Sequence, residues 1–458
     1  MVLWIGVDDT DSLHGMCTTF LATEIVRELT QGYDLIGYPR LVRLNPNIPW
    51  KTRGNGAVCI RIGRGIGPAR RMGEIAGKEI LSYPRSRSAE DPDGVVQNVA
   101  ALVERWSHFD DPTTNPGFAV LQRPGPPRLY WKGVRGILSR GEILRAVRGS
   151  GVVRGYKDGR GVIGAVTATA WRPQDRTYEV LTYRDPSKWG TSREIDPDSV
   201  REMDRAFPST FNNYDGENRR IVIAPHSPCP VLFGIRGDDP GDLPAAMERI
   251  RGERSERWLL FETNQGTDDH VRPGRSIEPW TTVRVRGRIT APPRNLPGGH
   301  VVFRVRGIDV TAYEPSKQFR AVVRRLVEGD RVEAIGAVRD SPRTVNLEKL
   351  RVLFLVPMRR KVANPWCVSC EKRAKSLGHR AGFRCVRCRR KFPESAAVFE
   401  QIPRGLEIGW YEPPVGSRRH LSKPIIRLCR TKPSQSGRPS LDPEARNAVS
   451  PLHVLYDL

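Results

Sequence analysis

The chain has 458 residues, and its 75 lysines and arginines against 51 aspartates and glutamates give a formal net charge of +24. This length predicts about three or four domains. So large a positive excess favours nucleic acid as the partner, with a role in solubility as the alternative. There is no run of about 18 apolar residues and no secretory signal at the N-terminus, so we expect no membrane span. Eight cysteines, four of them in two close pairs, indicate metal ligation in a reducing cytoplasm.

The N-terminal segment indicates a metal–nucleotide site. Apolar residues 2–7 predict a short strand. The strand is followed by three carboxylates and two hydroxyls: Asp8, Asp9, Thr10, Asp11 and Ser12. Crowded carboxylates repel one another unless a cation neutralises them, and a set of oxygen ligands suits Mg²⁺. A helix predicted over residues 18–29 would present its N-terminal N–H groups to phosphate. The alternative is an acidic turn that only caps this helix.

Two further segments have compositions that favour phosphate binding. KDGRGVIGA (residues 157–165) precedes an apolar run. Its glycines and its arginine are Gly159, Arg160, Gly161 and Gly164. Glycine permits close approach of the backbone to phosphate, and arginine adds charge. KTRGNGA, which begins at Lys51, combines charge, glycine and an amide. The first segment could be only a turn, but beside the acidic strand end it would form a second wall of one nucleotide site. The second segment could clamp a triphosphate or simply turn a hairpin.

The chain divides into four blocks and a tail. The first block alternates strand-like and helix-like patterns and is α/β in character, and the second has a strand–strand–helix–strand order that suggests a ferredoxin-like α+β module. The third has three strands, a helix and two strands, the order of an oligonucleotide-binding (OB-fold) barrel. The tail is rich in Pro, Ser, Arg and Gly, and we expect it to be disordered. The boundaries are 1–200, 201–275, 276–356 and 357–428 for the blocks and 429–458 for the tail.

Two segments of the second block predict a small-molecule pocket against the first block. NNYD contains Asn212 and Asp215, and the proline-rich hairpin SPCPVLFGIRG contains Cys229 and Arg236. Rigid prolines and a close-packed glycine hairpin could shape such a pocket, although packing alone would explain them equally well.

Basic residues alternate along the predicted barrel strands. They are Arg284, Arg286, Arg288, Arg304 and Arg306. Together with the net charge, they favour a cationic face for nucleic acid over a merely solvated one.

The fourth block contains a strong metal motif. Two Cys-x-x-Cys pairs, Cys367 with Cys370 and Cys385 with Cys388, are separated by 14 residues. Four thiolates at this spacing predict the closed tetrahedral site of structural zinc, whereas a redox pair would need only one of the two motifs. The remaining cysteines show no ligand spacing, and we expect buried or incidental thiols at Cys17, Cys59, Cys229 and Cys429.

The motifs follow one another in the order of a known family. They are GVDDTDS (6–12) with GMCTT (15–19), RLVRLNP (40–46) with KTRGNGA (51–57), GRGVIGA (159–165), PCPVLFGIRG (228–237), EPSKQFR (314–320), RHLSKP (419–424) and the two cysteine pairs. Over residues 1–428 the chain closely resembles the archaeal tRNA 2-agmatinylcytidine (agmatidine) synthetases. The tail finds no match in this resemblance. The basic insert near residues 63–93 looks longer than expected, as an extra RNA contact or a surface elaboration.

The resemblance implies a kinase-like ATP-binding catalytic domain, a ferredoxin-like domain, an OB-fold domain that binds tRNA, and a zinc ribbon. It also implies the reaction. ATP activates the 2-carbonyl oxygen of the wobble cytidine of isoleucine tRNA with a CAU anticodon, the amine of agmatine displaces phosphate, and ATP ends as AMP. The expected cofactors are ATP, Mg²⁺ and structural Zn²⁺. No obligate protein partner is implied.

The resemblance also implies roles for individual residues. Asp8, Asp9 and Asp11 would neutralise phosphate charge together with Mg²⁺, and Thr18 matches a position that the family phosphorylates on itself. Phosphates would be held by Thr10, Ser12, Lys51, Gly159, Arg160, Gly161 and Gly164. Agmatine's guanidinium needs a carboxylate or carbonyl partner. We expect that partner near Asn212, Asp215, Cys229 and Arg236.

Two alternatives stand beside this hypothesis. A basic barrel with a zinc ribbon is also typical of non-catalytic proteins that bind single-stranded nucleic acid, although the acidic strand end would then have no role. A related ATP-dependent RNA-modifying enzyme that attaches another amine is the second.

Overall fold

The computed structural model describes residues 2–87, 92–274 and 276–430. The prediction of a disordered tail therefore concerns residues that, from 431 on, lie outside the described part. No helix within the described residues is long and apolar enough to cross a membrane.

The first part of the chain is a twisted sheet covered by helices on both faces. Its strands are β1 (Leu3–Asp8), β2 (Asp34–Ile36), β3 (Arg40–Arg43), β4 (Gly56–Ile66), β5 (Arg70–Ile75), β6 (Lys78–Tyr83), β7 (Arg85–Arg87), β8 (Gly117–Leu121) and β9 (Gly151–Gly155). Its helices are α1 (Thr18–Leu29), α2 (Pro92–Trp106), α3 (Pro127–Arg135), α4 (Arg140–Ala146) and α5 (Val162–Ala170).

Strand alternation decides which helices cover which face. Leu3, Ile5 and Val7 of β1 belong to one buried cluster with α1 and α2, whereas Trp4 packs on the cluster formed by α3, α4 and α5. Successive side chains of a strand point to opposite faces, so a strand buried on both faces is apolar throughout. β1 pairs antiparallel with β4 and with β8, which brings the starts of β4 and β8 beside the acidic end of β1.

The sheet continues into the next part of the chain. Its elements are β10 (Thr177–Tyr183), α6 (Pro197–Ala206), β11 (Thr210–Phe211), β12 (Tyr214–Asp215), β13 (Arg220–Ile221), β14 (Val231–Gly237), α7 (Asp242–Glu248) and β15 (Arg257–Thr263). The strand order is β11-β14-β10-β15, and β15 joins this group to β5 and β3 of the first part. The basic insert supplies β5, β6 and β7 of this sheet as far as residue 87, so it is part of the junction between the two groups of strands. Residues 88–91 lie outside the described part.

A barrel follows, as predicted. Its elements are β16 (Thr282–Leu296), β17 (His300–Val305), β18 (Ile308–Ala312), α8 (Phe319–Arg324), β19 (Arg331–Val338) and β20 (Val345–Phe354). β16 pairs with β17 and β19, β19 pairs with β20, and the parallel pairing of β18 with β20 closes the barrel. Valine and isoleucine side chains from all five strands fill its interior together with Phe319 and Val323 of α8.

The rest of the chain forms small ribbons and then returns to the first part. The elements are β21 (Arg359–Ala363), β22 (Trp366–Cys367), β23 (Lys372–Arg373), β24 (Lys375–Ser376), β25 (Phe383–Arg384), β26 (Lys391–Phe392), β27 (Val398–Gln401), β28 (Gly409–Tyr411) and α9 (Ile425–Cys429). Leu421 is buried in the cluster of α3, α4 and α5. Arg427 pairs with Asp175 and Asp238, so the end of the described chain is anchored far from the cysteine motifs.

Candidate active site

The acidic turn after β1 is built around the start of α1. Asp11 accepts hydrogen bonds from the backbone N–H of Thr18 at 2.7 Å and from its hydroxyl at 3.2 Å. The buried hydroxyl of Thr10 donates to the same Thr18 hydroxyl at 3.0 Å. Asp11 therefore does cap the helix, as the alternative interpretation of this segment proposed, and it faces a cavity as well. Thr10 organises the turn and is not among the residues that line this cavity.

Asp111, a carboxylate that the sequence analysis did not single out, stabilises the acidic turn through hydrogen bonds. Asp111 accepts hydrogen bonds from the Ser12 hydroxyl at 2.7 Å, the Leu13 N–H at 2.9 Å, and both the N–H and the hydroxyl of Thr113. Burial raises its pKa, but the hydrogen bonds from Thr113 and Ser12 outweigh burial and hold the pKa of Asp111 below its usual value. Ser12 is therefore occupied in positioning the loop. It is not among the residues lining the cavity.

The glycine segment before α5 fits against the end of β1. A Cβ at Gly164 would lie 2.5 Å from Cγ of Asp8, and one at Gly161 would lie 2.7 Å from the carbonyl oxygen of Asp8. Only glycine allows the backbone to come so close. Arg160, the residue before Gly161, donates from Nε to Asp9 at 3.0 Å. Gly159, with φ of 65°, turns the chain and does not line the cavity.

The segment that begins at Lys51 forms the third wall. Lys51 donates to the carbonyl oxygen of Pro46. The Thr52 hydroxyl donates to Asp9 at 3.4 Å, and Arg53 lies 3.4 Å from a carboxylate oxygen of Asp11. Three segments that are distant in the sequence therefore lie around the acidic turn.

These segments enclose a cavity lined by both polar and apolar residues. It holds about 710 Å³ including its open mouth. Its polar lining, called the polar wall, includes Asp8, Asp9, Asp11, Lys51, Arg160 and Gly164, and its apolar lining, called the apolar wall, includes Leu44, Ile48, Trp50, Ile137, Leu138 and Ile163. A nucleotide needs both kinds of surface, because it has a flat base and charged phosphates.

The carboxylates of the polar wall repel one another. Burial, and next the charge of Asp9, raise the pKa of Asp8 well above its ordinary value. Burial raises the pKa of Asp9 to about 6, although the charge of Arg160 opposes the shift. A bound cation would relieve this repulsion. The oxygen atoms of the three carboxylates do not form a compact set of metal ligands. Within the described residues, such a set of three or more ligand atoms is formed by the four cysteines.

A second cavity adjoins the first and shares Asp11, Arg53 and Gly56 with it. Of the four residues predicted to bind the small substrate, Cys229 and Arg236 line this cavity. Its further charged and polar lining includes Thr18, Arg43, Glu179 and His420. Glu179 is buried, pairs with Arg236 at 2.9 Å, and accepts from Gln265. It sits in an ordinary alternating strand, β10, so no local sequence signal marked it.

Asn212 and Asp215 lie elsewhere. Asn212 accepts from Arg418 at 2.8 Å, and Asp215 accepts from the N–H and the amide of Asn218 and from the N–H of Gly416. Both residues anchor the returning C-terminal segment and are not among the lining residues of either cavity. The expectation that they approach the substrate is therefore not met by their placement, because the returning segment takes up their hydrogen bonds.

Two of the cysteines expected to be incidental lie together in the second cavity. Cys17 and Cys229 are both buried. A hydrogen bond from the Cys17 thiol is the largest cause that lowers the pKa of Cys229 to about 5, and the charges of Arg53 and Arg193 act in the same direction. Burial raises the pKa of Cys17.

The zinc prediction is confirmed by the geometry of the four cysteines. The sulfur atoms of Cys367, Cys370, Cys385 and Cys388 all lie within 4.8 Å of one another. Such a set of four sulfur ligands suits tetrahedral zinc. The site is at the surface, with Cys388 exposed and Cys367 and Cys385 buried.

The barrel carries a cationic groove along β16. It is lined by Arg135, Arg272, Arg284, Arg286, Arg306 and Arg331. Of the arginines predicted on this face, Arg284 pairs with Glu333 and Arg304 with Asp309. Arg286, Arg288 and Arg306 form no ion pair within the described residues, so their charge is free for an anionic partner.

Comparisons with known proteins agree with this arrangement. Three domain families match the chain: the TiaS TCKD domain over residues 4–157, the TiaS FLD domain over residues 159–270 and the TiaS C-terminal zinc ribbon domain over residues 364–406. The isoleucine-tRNA 2-agmatinylcytidine synthetase TiaS of Methanocaldococcus jannaschii is 40% identical over 441 residues, covering 93% of this chain and 98% of the relative.

Solved structures show the same architecture. A complex of TiaS with isoleucine tRNA and ATP superimposes with a TM-score of 0.77 at 36% identity, covering 93% of this chain and 97% of the other. A complex of TiaS with isoleucine tRNA, AMPCPP and agmatine gives 0.76 at 34% identity over the same shares. Fold and site together thus define a multidomain α/β protein with a barrel, a zinc ribbon and a cavity suited to a nucleotide. The chain belongs to the TiaS family, the isoleucine-tRNA 2-agmatinylcytidine synthetases, and the resemblance found in the sequence is confirmed.

Proposed function

We propose that this chain is the ATP-dependent ligase that attaches agmatine to the wobble cytidine of isoleucine tRNA with a CAU anticodon. The observation that carries the proposal is the pair of adjoining cavities with Asp11 between them. One cavity has the polar and apolar lining that a nucleotide needs, and the other has room and charge for a small substrate. A binding protein for nucleic acid alone would need neither.

The nucleotide site is proposed in the first cavity. The adenosine lies against the apolar wall that contains Trp50 and Ile137, and the phosphates face Asp8, Asp9 and Arg160. Phosphoryl transfer depends mainly on positioning and charge neutralisation. Arg160 holds Asp9 in place and adds a positive charge at the phosphates.

The carboxylates fit Mg²⁺ bound through one or two side chains and the phosphates. This is the usual protein mode for Mg²⁺, which keeps several waters and does not need a cage of protein ligands. Burial raises the pKa values of Asp8 and Asp9, and the neighbouring carboxylates add to the shift, so a bound cation would stabilise their ionised forms. When bound, Mg²⁺ would neutralise charge that develops on the transferred phosphoryl group.

The second cavity is proposed to receive the cytosine ring and the amine. The Thr18 hydroxyl lines this cavity and is bonded to Asp11, so it lies at the junction of the two cavities. Glu179 and Asp11 are its carboxylates, and we propose that they attract the cationic groups of agmatine. Conversion of ATP to AMP releases two phosphoryl groups, and one of them is proposed to pass to water. The other moves to the 2-carbonyl oxygen of cytosine, the amine nitrogen then bonds to the carbon that carries this oxygen, and the carbon–oxygen bond breaks as phosphate leaves.

The barrel and the zinc ribbon are proposed to hold the tRNA. Arginines along β16 would contact the phosphate backbone, and the basic ribbon would help to extrude the target base from its stack. Such a substrate places the protein in the cytoplasm.

The finer domain assignments are also proposals. The strand order β11-β14-β10-β15 with α6 and α7 supports a ferredoxin-like domain, because antiparallel strands in this order with two helices define that fold. β10 supplies its central strand, so we move its start from residue 201 to before residue 177. A kinase-like first domain is supported by the cavity at the end of β1. The remaining domains keep the proposed ranges of 276–356 and 357–428.

An amine panel tests the proposed function. The full chain is incubated with ATP, Mg²⁺, the tRNA transcript and agmatine, lysine, putrescine or spermidine in turn, and the digested RNA is weighed by mass spectrometry. A mass gain on the wobble cytidine with agmatine is expected. A gain only with another amine would assign the chain to a related enzyme.

Matched variants separate catalysis from RNA binding. Asp9→Asn should abolish the mass gain while tRNA affinity stays the same. Asp340→Asn, a change of the same chemistry at an exposed residue of the barrel, should behave as the wild type. If Asp9→Asn kept full RNA-dependent ATP turnover, a non-catalytic role for the acidic turn would be favoured.

A further inference from the structure

We infer that Arg43 forms a phosphate-binding site in the second cavity, and that this site holds the phosphoryl group that activates the base and then leaves as orthophosphate. The origin of the phosphate rests on the proposed function. The site itself rests on the placement of charges in the cavity.

Arg43 is held at a fixed position at the end of β3. Its backbone N–H donates to the side-chain oxygen of Asn264 at 2.7 Å, and its carbonyl oxygen accepts from the side-chain amide at 2.8 Å. Its guanidinium lies against two glycines, because a Cβ at Gly54 or Gly56 would be 2.7 or 2.8 Å from Nη1. The sequence KTRGNGA thus makes room for the side chain of Arg43.

The other two arginines that line this cavity have acidic partners. Arg53 faces Asp11 at 3.4 Å, and Arg236 pairs with Glu179 at 2.9 Å. Within the described residues Arg43 forms no ion pair, and its Nε is closed off from solvent without a hydrogen-bond partner. Arginine stays charged in proteins, and an enclosed charge without a counter-ion is costly. Burial lowers the pKa of Arg43, although the charge of Glu179 opposes the shift.

The chemistry of the site favours phosphate. A planar guanidinium binds phosphate oxygens through two parallel hydrogen bonds. Two further side chains, His420 and the Thr18 hydroxyl, line the same cavity and can add hydrogen bonds. Burial, and next the charge of Arg43, lower the pKa of His420 well below its ordinary value, so the imidazole is neutral and adds no second charge.

The position of the site matches the path of the phosphate. The second cavity shares Asp11, Arg53 and Gly56 with the nucleotide cavity, so the two sites adjoin where the inference requires the phosphoryl group to be transferred. When the amine nitrogen forms its bond to the base, the carbon–oxygen bond breaks with its electron pair on the phosphate oxygen. The amine's proton passes to solvent. The phosphate at Arg43 also cancels the charge that would otherwise repel a cationic amine.

Binding of inorganic phosphate to the full chain in the presence of AMP tests the inference. Calorimetry should show at least about tenfold weaker phosphate binding in Arg43→Gln than in the wild type, since charge-assisted hydrogen bonds are lost. ATP affinity should stay within about twofold. The matched control is Arg64→Gln, because Arg64 is exposed near the far end of β4, where β1 begins. It should bind phosphate as the wild type does.

Phosphate should also raise the affinity for agmatine in the wild type and not in Arg43→Gln. Equal phosphate affinity in the wild type and Arg43→Gln would overturn the inference, and so would an equal loss of ATP affinity, because Arg43 would then belong to the nucleotide site. Unchanged phosphate binding with weaker tRNA binding would overturn it as well, since the anion would be the RNA backbone.

If Arg43→Gln fails to fold, Arg43→Lys replaces it. Lysine keeps the charge and lacks the planar fork, so weaker phosphate binding is expected and unchanged binding would count against the site. Arg43-dependent phosphate binding without any transfer of agmatine would contradict the proposed function and leave the site intact.

Discussion

Gly164 sets the position of Asp8, and its replacement tests whether that position matters for catalysis. In Gly164→Ala the new Cβ would lie 2.5 Å from Cγ of Asp8, whereas ordinary van der Waals contact begins at 3.4 Å. The carboxylate oxygen Oδ2 would be closer still, so the carboxylate or the start of α5 must shift by at least about 0.9 Å. The start of α5 is buried, and Asp8 belongs to a strand that is paired on both sides, so neither can move freely.

The expected effect is large on turnover and moderate on stability. Overpacking of this kind costs about 1–3 kcal/mol, and a displacement of about 1 Å at a reacting group can lower the rate about 100-fold. We expect Gly164→Ala to fold and to convert ATP to AMP at least about 100 times more slowly in the presence of tRNA and agmatine.

The assay follows AMP formation by chromatography alongside thermal unfolding. Gly216→Ala is the matched control, because a Cβ at Gly216 would meet no atom within 4 Å. Wild-type turnover in Gly164→Ala would refute the reasoning that the contact of α5 with Asp8 positions the catalytic carboxylate.

Three further predictions concern the pH dependence, the helix start and the metal. Because the pKa of Asp9 is raised to about 6, its ionisation disfavours the folded state as pH rises from 3.8 to 6. The affinity for Mg²⁺–ATP should fall about tenfold per pH unit below 6, because the protonated carboxyl no longer attracts the ion. Calorimetry from pH 5 to 7.5 checks this, and the same slope in Asp9→Asn would contradict it. Thr18→Val should lower AMP formation at least about 100-fold, while Thr18→Ser should keep most of it. Intact-protein mass spectrometry shows whether ATP phosphorylates Thr18. Equal rates of AMP formation in both variants would show that the hydroxyl has no part in the mechanism. Zinc can be removed by Cys385→Ser, or by a chelator with Mg²⁺ restored afterwards. Either change should unfold the zinc ribbon and abolish RNA modification, while ATP affinity changes by less than about twofold. Loss of nucleotide binding would show that the domains are not independent.

Much of the fold was predictable because its signals are local. The alternation of apolar and polar residues in β16 to β20, with a helix between the strands, predicted the barrel. Helix α1 begins and ends where its pattern predicted. The spacing of the four cysteines predicted the metal site that they form. Helix α8 begins only at Phe319, because Lys317 has a left-handed φ of 47°.

The site was predictable as three separate segments and not as a geometry. Glycine and carboxylate patterns pointed to Asp8, Arg160 and Lys51, but pairing of β1 with β4 and β8 decides that they meet. Glu179 and Asp111 are separated from the acidic turn by about 170 and 100 residues of sequence and carry no motif. Long-range contacts of this kind follow from strand pairing across the whole sheet, which no local pattern contains.

The prediction for Asn212 and Asp215 shows the same limit. Both lie in a polar segment near a hairpin, which is typical of a ligand site. The returning segment of the chain binds them instead, and nothing in the residues around position 212 indicates that residues 416–418 will pack there.

The most direct measurement is a crystal structure of the full chain with a non-hydrolysable ATP analogue and Mn²⁺ in place of Mg²⁺, because anomalous scattering locates the ion. We expect the ion between the nucleotide's phosphates and at least one of Asp8, Asp9 and Asp11, at about the 2.0–2.1 Å that is usual for Mg²⁺ ligands. A nucleotide bound elsewhere, or an ion bound without any of these carboxylates, would contradict the assignment of the acidic turn as the catalytic centre.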